Sequence, residues 1–160
     1  MIRKELLFAS MLLLFGCSKQ GEVLFENIPE SGWEQQDWVS FTYTHRLPQK
    51  EVALNWVLRH DNDYPFANIH LIASWQRPKG EVKSDTLTYL LAEPNGRWLG
   101  KGFYIVEHQL PFVERYLFHE PGTYTFKVRP AVRATDKLVA EKTLPGIHQI
   151  GIAINPLSND

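Results

Sequence analysis

Cysteine is nearly missing from this chain: Cys17 is its single thiol in 160 residues. One thiol excludes an internal disulfide and a thiolate zinc site, since both need at least two. A surplus of either charge is missing too. Seventeen Lys and Arg face eighteen Asp and Glu, for a net charge of -1. Without a basic excess to release counterions, nucleic acid is not an expected partner. No apolar run is long enough to cross a bilayer as a helix, which takes about 20 residues. Residues 6–15 offer ten apolar or small side chains and then stop. Internal repeats, low-complexity blocks and a second-domain boundary are absent, so the chain reads as one domain.

Catalytic signatures are equally scarce. Six histidines stand at 45, 60, 70, 108, 119 and 148, and none forms an HxH or HExxH pair, so a zinc hydrolase is not expected. Ser31-Gly32 lies in no Gly-x-Ser-x-Gly elbow. Glu107 and Glu120 fall in strand-like stretches and read as solvated carboxylates. A non-enzymatic protein without a cofactor is the expectation.

What is present begins at the N-terminus. Arg3 and Lys4 precede the short apolar segment, and the segment ends in Leu14-Phe15-Gly16-Cys17. Basic flank, apolar core and small residue are the parts of a secretory signal. The last four residues resemble a bacterial lipobox, in which the cysteine is acylated and becomes the mature N-terminus. Residues 1–16 then form a lipoprotein signal peptide, residues 17–22 an acylated cysteine with a short polar tether, and residues 23–160 the folded domain. The expected lipid attachment residue is Cys17. Removing Arg3, Lys4 and Glu5 leaves a mature charge of about -2. An acidic cluster after the cysteine, which resembles a surface-export tag in some Bacteroidetes lipoproteins, is missing. The periplasmic face of the outer membrane is therefore expected over the cell surface.

The mature chain alternates apolar and polar residues with period two. In 38–45, Val39, Phe41 and Tyr43 share one face and the Ser and Thr residues the other. In 52–59, Val52, Leu54, Trp56 and Leu58 share a face, which places Trp56 in the core; Trp38 falls on a polar face and is expected outside. Further strands are expected at 69–76, 82–91, 102–110, 124–132 and 147–154, with a short edge strand at 23–25. Turn residues at 29–32, 48–50, 77–80, 94–96, 121–122 and 145–146 separate them. Residues 111–117 read as one or two helical turns with Pro111 first; residues 134–142 read as a short helix or a hairpin. About eight strands with regular turns predict an all-β fold: a single antiparallel β-sandwich, jelly-roll or immunoglobulin-like.

Two loops invite chemistry. Asp61 and Asp63 are hard oxygen donors two residues apart, but an EF-hand would need Gly at 66 and Glu at 72, where Phe66 and Ile72 stand. No metal site is expected there; Asx turns and a corner pinned by Tyr64-Pro65 explain the stretch. Gly96 to Lys101 has three residues between its glycines where a phosphate loop needs four. A turn and bulge fit better, presenting Arg97, Trp98 and Lys101 as a sticky cationic patch or seating Trp98 as a core plug. Candidate partner-binding residues are thus Arg97, Trp98, Lys101, Asp61, Asp63 and Tyr64. Five tryptophans also allow a sugar-stacking platform, so a glycan- or peptidoglycan-binding module is the alternative.

Three stretches carry a family resemblance: Asn27-Ile-Pro-Glu-Ser-Gly-Trp33, Arg59-His-Asp-Asn-Asp-Tyr-Pro-Phe-Ala-Asn68 and Pro94-Asn-Gly-Arg-Trp-Leu-Gly-Lys-Gly-Phe103. With the ending Leu144-Pro-Gly-Ile-His-Gln-Ile-Gly151, they resemble the gliding motility lipoprotein GldH family of Bacteroidetes. The resemblance implies an envelope lipoprotein linked to gliding motility and type IX secretion, with protein partners and no known enzymatic activity. Only the acylated cysteine carries over with a role, onto Cys17.

Overall fold

The computed structural model describes residues 21–46, 50–131 and 143–157. Their regular structure is entirely strand. Two four-stranded antiparallel sheets pack face to face. The first is ordered β1 (Glu22–Asn27), β10 (Ile147–Pro156), β4 (Lys50–His60), β7 (Val106–Phe118). The second is ordered β3 (Val39–His45), β8 (Gly122–Pro130), β5 (Asn68–Gln76), β6 (Val82–Leu90). A two-residue pair, β2 (Trp33–Glu34) with β9 (Thr143–Leu144), closes one end. The all-β sandwich expected from the alternation is what forms, with ten strands among the described residues. The expected turn at 48–50 lies mostly outside them, and the segment 134–142 lies wholly outside.

The alternation explains the core. Leu54, Trp56 and Leu58 of β4 are fully buried, as are Ile150 and Ile152 of β10 and Tyr124, Phe126 and Val128 of β8. Each large apolar side chain removed from water contributes about 1.5–3 kcal/mol. Ser40, Thr42 and Thr44 face solvent on β3, and Trp38 just before it is 44% exposed beneath the Arg129 guanidinium.

Two expectations fail on one element. Residues 102–105 are loop, and residues 111–117 are strand, not helix. Opposite β4, Val52 and Leu54 pair with Tyr116 and Val113, and Leu54 and Asn55 with Val113 and Pro111. Each step inserts one extra residue on β7, so the strand carries two bulges. The half-buried residues Phe112, Val113, Tyr116 and Leu117 therefore fall at a helix-like spacing while the backbone stays extended. The bulges bend β7 across the second sheet. Tyr89 of β6 bonds the Pro111 carbonyl, Phe112 meets Trp75 of β5, Tyr116 meets Phe126 of β8, and Phe118 meets Tyr43 of β3.

Candidate functional site

The sandwich end where β4 stops and β7 starts gathers the chemistry-bearing residues. Loop 61–67 follows His60, and the long loop 91–105 precedes Val106. Asp61 organises the first loop. Its Oδ1 accepts the Asp63 amide at 2.8 Å, and its Oδ2 lies 2.6 Å from His148 Nε2. Burial raises the Asp61 pKa, but the His148 and Asp63 hydrogen bonds outweigh this and hold it below the ordinary carboxylate value. Tyr64 turns inward and donates its hydroxyl to the Asn68 carbonyl at 2.8 Å. It is 3% exposed, and burial raises its pKa. Tyr64, a candidate partner-binding residue, is buried, and its ring closes the core.

Loop 91–105 folds onto that base. Arg97 closes a bidentate ion pair on Glu93, at 2.9 Å and 2.5 Å, so its charge is neutralised locally and the expected cationic patch shrinks to Lys101. Trp98 donates its indole N–H to Asn62 Oδ1 at 2.9 Å and meets the His60 ring edge-on at 4.5 Å. It is half-buried, a plug over the end of the core. Asp61, Asp63, Tyr64, Arg97 and Trp98 are thus brought to one end of the sandwich. Lys101 is exposed beside them, its backbone paired to Glu107. Cys17 lies outside the described residues.

Beneath the plug sits a pair that pattern reading missed. His60 and His108 are both buried, with their Nε2 atoms 3.0 Å apart. His60 Nδ1 lies 2.7 Å from the Asp61 carbonyl oxygen. A carbonyl only accepts, so Nδ1 carries the proton and Nε2 is bare. His108 Nε2–H must then donate to it, and both rings are neutral. Burial lowers the His60 pKa, partly offset by the carbonyl and carboxylate of Asp61. Burial, then the neighbouring His60, pushes His108 down to about 4. The sequence held a signal: His108 shares the period-two face of Val106 and Leu110, and His60 that of Leu58, so both face inward. Their meeting depends on register, which places Leu58 opposite His108.

The loop reaches this pair because position 100 has no side chain. A Cβ on Gly100 would lie 2.6 Å from the Glu107 carbonyl oxygen and 2.8 Å from His108 Nε2. Gly100→Ala is therefore expected to cost about 1–3 kcal/mol by overpacking, read by urea unfolding, and to shift the His108 imidazole resonances. Wild-type stability in this variant would show that the loop does not rest on His108.

Asp61 with His148, Glu93 with Arg97 and His60 with His108 are paired at this end. Among the described residues no three His, Cys, Asp or Glu side chains are grouped to hold a metal ion. Trp33 is 1% exposed and bonds the Asp37 carbonyl, and Trp98 is packed against His60. With Trp38 the exposed one of the three, they do not line one open groove, so the tryptophan platform of the glycan reading does not form from them.

The model of the GldH lipoprotein family matches residues 24–154. The chain belongs to that family. The gliding motility lipoprotein GldH homolog of Christiangramia forsetii is 33% identical over 156 residues, covering 96% of this chain and 95% of its own. Gliding motility lipoprotein GldH of Flavobacterium johnsoniae is 33% identical over 150 residues, 93% of each chain. Membership makes this chain a cell-envelope lipoprotein and implies membrane anchoring through lipid. Among solved structures, a Bacillus thuringiensis Cry1Da tryptic core variant superposes at TM-score 0.45 and 10% identity, over 88% of this chain and 21% of its own. A CocE/NonD family hydrolase from Staphylococcus aureus superposes at TM-score 0.38 and 14% identity, over 88% of this chain and 34% of its own. Neither likeness bears on function.

Proposed function

We propose that this GldH-family chain is a non-catalytic docking module, lipidated on Cys17 and held on the periplasmic face of the outer membrane. There it serves as an accessory component of gliding motility or type IX secretion-linked machinery. The observation that carries the reading is the match of nearly the whole chain to two relatives named as gliding motility lipoprotein GldH or its homolog. The commitment of Asp61, Glu93, Arg97, His60 and His108 to intrachain partners supports a scaffold over a reacting centre. Lipid explains the attachment: each buried CH₂ contributes about 0.8 kcal/mol, so two or more acyl chains hold where one is reversible.

The test is Cys17→Ala in the native cell. Wild-type protein is expected in the outer-membrane pellet with acyl chains on Cys17 by mass spectrometry. The variant is expected in the soluble envelope fraction, with motility or secretion reduced. A variant that still pellets with the membrane defeats the tether.

A further inference from the structure

We propose that the tip Phe103-Tyr104-Ile105 is the docking element of this protein, and that its occupant is an envelope protein with an apolar groove. The proposal rests on the tethered-docking reading above and names its surface. Phe103 and Tyr104 are each 81% exposed and Ile105 is 43% exposed. Of the nine large hydrophobics exposed on the described surface, five (Phe66, Leu99, Phe103, Tyr104, Ile105) lie in the two loops at this end. Exposed apolar side chains gathered in one place mark interaction sites where scattered ones do not.

The tip is held in shape before it meets anything. Lys101 N–H bonds the Glu107 carbonyl at 2.9 Å, and Glu107 N–H returns to the Lys101 carbonyl at 2.7 Å. These two bonds pinch off residues 102–106. Gly102, at φ +128°, makes the turn, and a Cβ there would strike the Ile105 carbonyl oxygen. The two aromatic rings lie edge to face at 5.0 Å. A pre-shaped aromatic pair loses little freedom on binding.

The tether decides what the tip can meet. Strand β1 runs towards the tip: Asn27 pairs with Gln149, which pairs with Arg59, beside Val106. Traced backwards, the chain therefore leaves at Gly21 heading away from the tip. Gly21 lies beside Asn155, which pairs with Ala53, seven residues down β4 from His60. Seven residues of strand span about 23 Å. The leash from Cys17 to Gly21 has five residues and reaches about 17 Å at most. Turned tip-down, the domain would hold Gly21 higher above the lipid than its leash allows.

Charge argues the same way for a domain lying flat. Loops 61–67 and 91–105 carry Asp61, Asp63 and Glu93 against Arg97 and Lys101, and Arg97 is already paired. Such a rim does not attract an anionic leaflet. A second copy is a poor fit as well. Two aromatic side chains can bury about 150–250 Å² each, and two projecting tips meeting head-on enclose less of that area than a groove does. A convex aromatic tip fits a concave apolar groove on another protein.

The experiment places a photocrosslinking amino acid at position 104 of the acylated full chain in intact cells, with position 83 on β6 and position 51 on β4 in parallel. Position 104 is expected to yield one discrete protein adduct. Binding of that purified protein should fall at least tenfold with Phe103→Ser plus Tyr104→Ser, while thermal unfolding stays unchanged. Adducts from position 83 or 51 with none from 104 overturn the tip and leave the docking reading standing. No adduct from any position overturns both. Adducts to lipid or to a second copy of this chain at 104, or a tight complex insensitive to the double substitution, also overturn the proposal.

Discussion

Trp56→Ala is expected to lose about 3–5 kcal/mol of folding stability, the range for truncating a buried tryptophan. The side chain is fully buried at the centre of β4, in register with Ile152 of β10 on one side and Leu110 of β7 on the other. Its ring meets Phe112 at 5.1 Å and Phe41 of the opposite sheet at 6.2 Å. It therefore ties both sheets and the bulged strand together, and its removal leaves a cavity that three extended backbones cannot close. Domains of this size hold only about 5–15 kcal/mol in total, so much of the protein would be unfolded at growth temperature. Trp56→Phe separates packing from polarity. The indole N–H has no hydrogen-bond partner among the described residues, so phenylalanine gives up volume but no hydrogen bond. Its expected cost is about 1–2 kcal/mol. Urea unfolding of both variants checks this. If the alanine variant is no weaker than the phenylalanine variant, Trp56 does not bridge the sheets.

How much of this was legible beforehand follows from the range of the physics. Trp56 on the face of Val52, Leu54 and Leu58 was readable, because strand alternation is local and β4 obeys it through Leu58. The Asp61–Asp63 turn was readable for the same reason: its hydrogen bond spans two residues. The path of β7 was not, since two bulges shift the period and put Phe112, Val113, Tyr116 and Leu117 at helical spacing. Only pairing with β4 reveals the backbone as extended. Trp98 could be placed as a plug but not given a partner, because Asn62 is 36 residues away. The His60–His108 pair spans 48 residues and exists through register alone. Tyr64 was legible in part. Named both as a corner pin and as a candidate partner-binding residue, it donates its hydroxyl to the Asn68 carbonyl and its ring goes inside. The tip at 103–105 was hidden inside an expected strand, because Phe103, Tyr104, Ile105 and Val106 have strand composition. What removes them from the sheet is the pinch between Lys101 and Glu107.

The histidine pair gives the second large effect, an acid loss of stability well above the carboxylate range. In the fold His108 is held neutral with a pKa of about 4, against an ordinary value of 6.5, and burial also lowers that of His60. Between those limits the unfolded chain binds more protons than the folded one, so stability rises with pH there. The contribution is complete above about pH 6.5, shrinks as pH falls towards 4, and is gone below. For His108 alone the span of 2.5 units at 1.36 kcal/mol each is about 3 kcal/mol. Asp61 does not act in this window. Its carboxyl is held below the ordinary 3.8, so its contribution is lost only at lower pH. Urea unfolding at pH 7.5, 6, 5 and 4 should show midpoints dropping across the lower three at constant slope. His108→Gln keeps an N–H donor for His60 Nε2 but does not titrate, and it should flatten most of the drop. A pH profile identical in that variant would place the acid sensitivity elsewhere. Geometry says where the molecule yields first. A proton taken up by His60 goes to its bare Nε2 and sets N–H against the His108 N–H across 3.0 Å, directly under Trp98 and Gly100. The 97–105 arm should therefore lose amide protection before the strands do, and with it the shape of its aromatic tip.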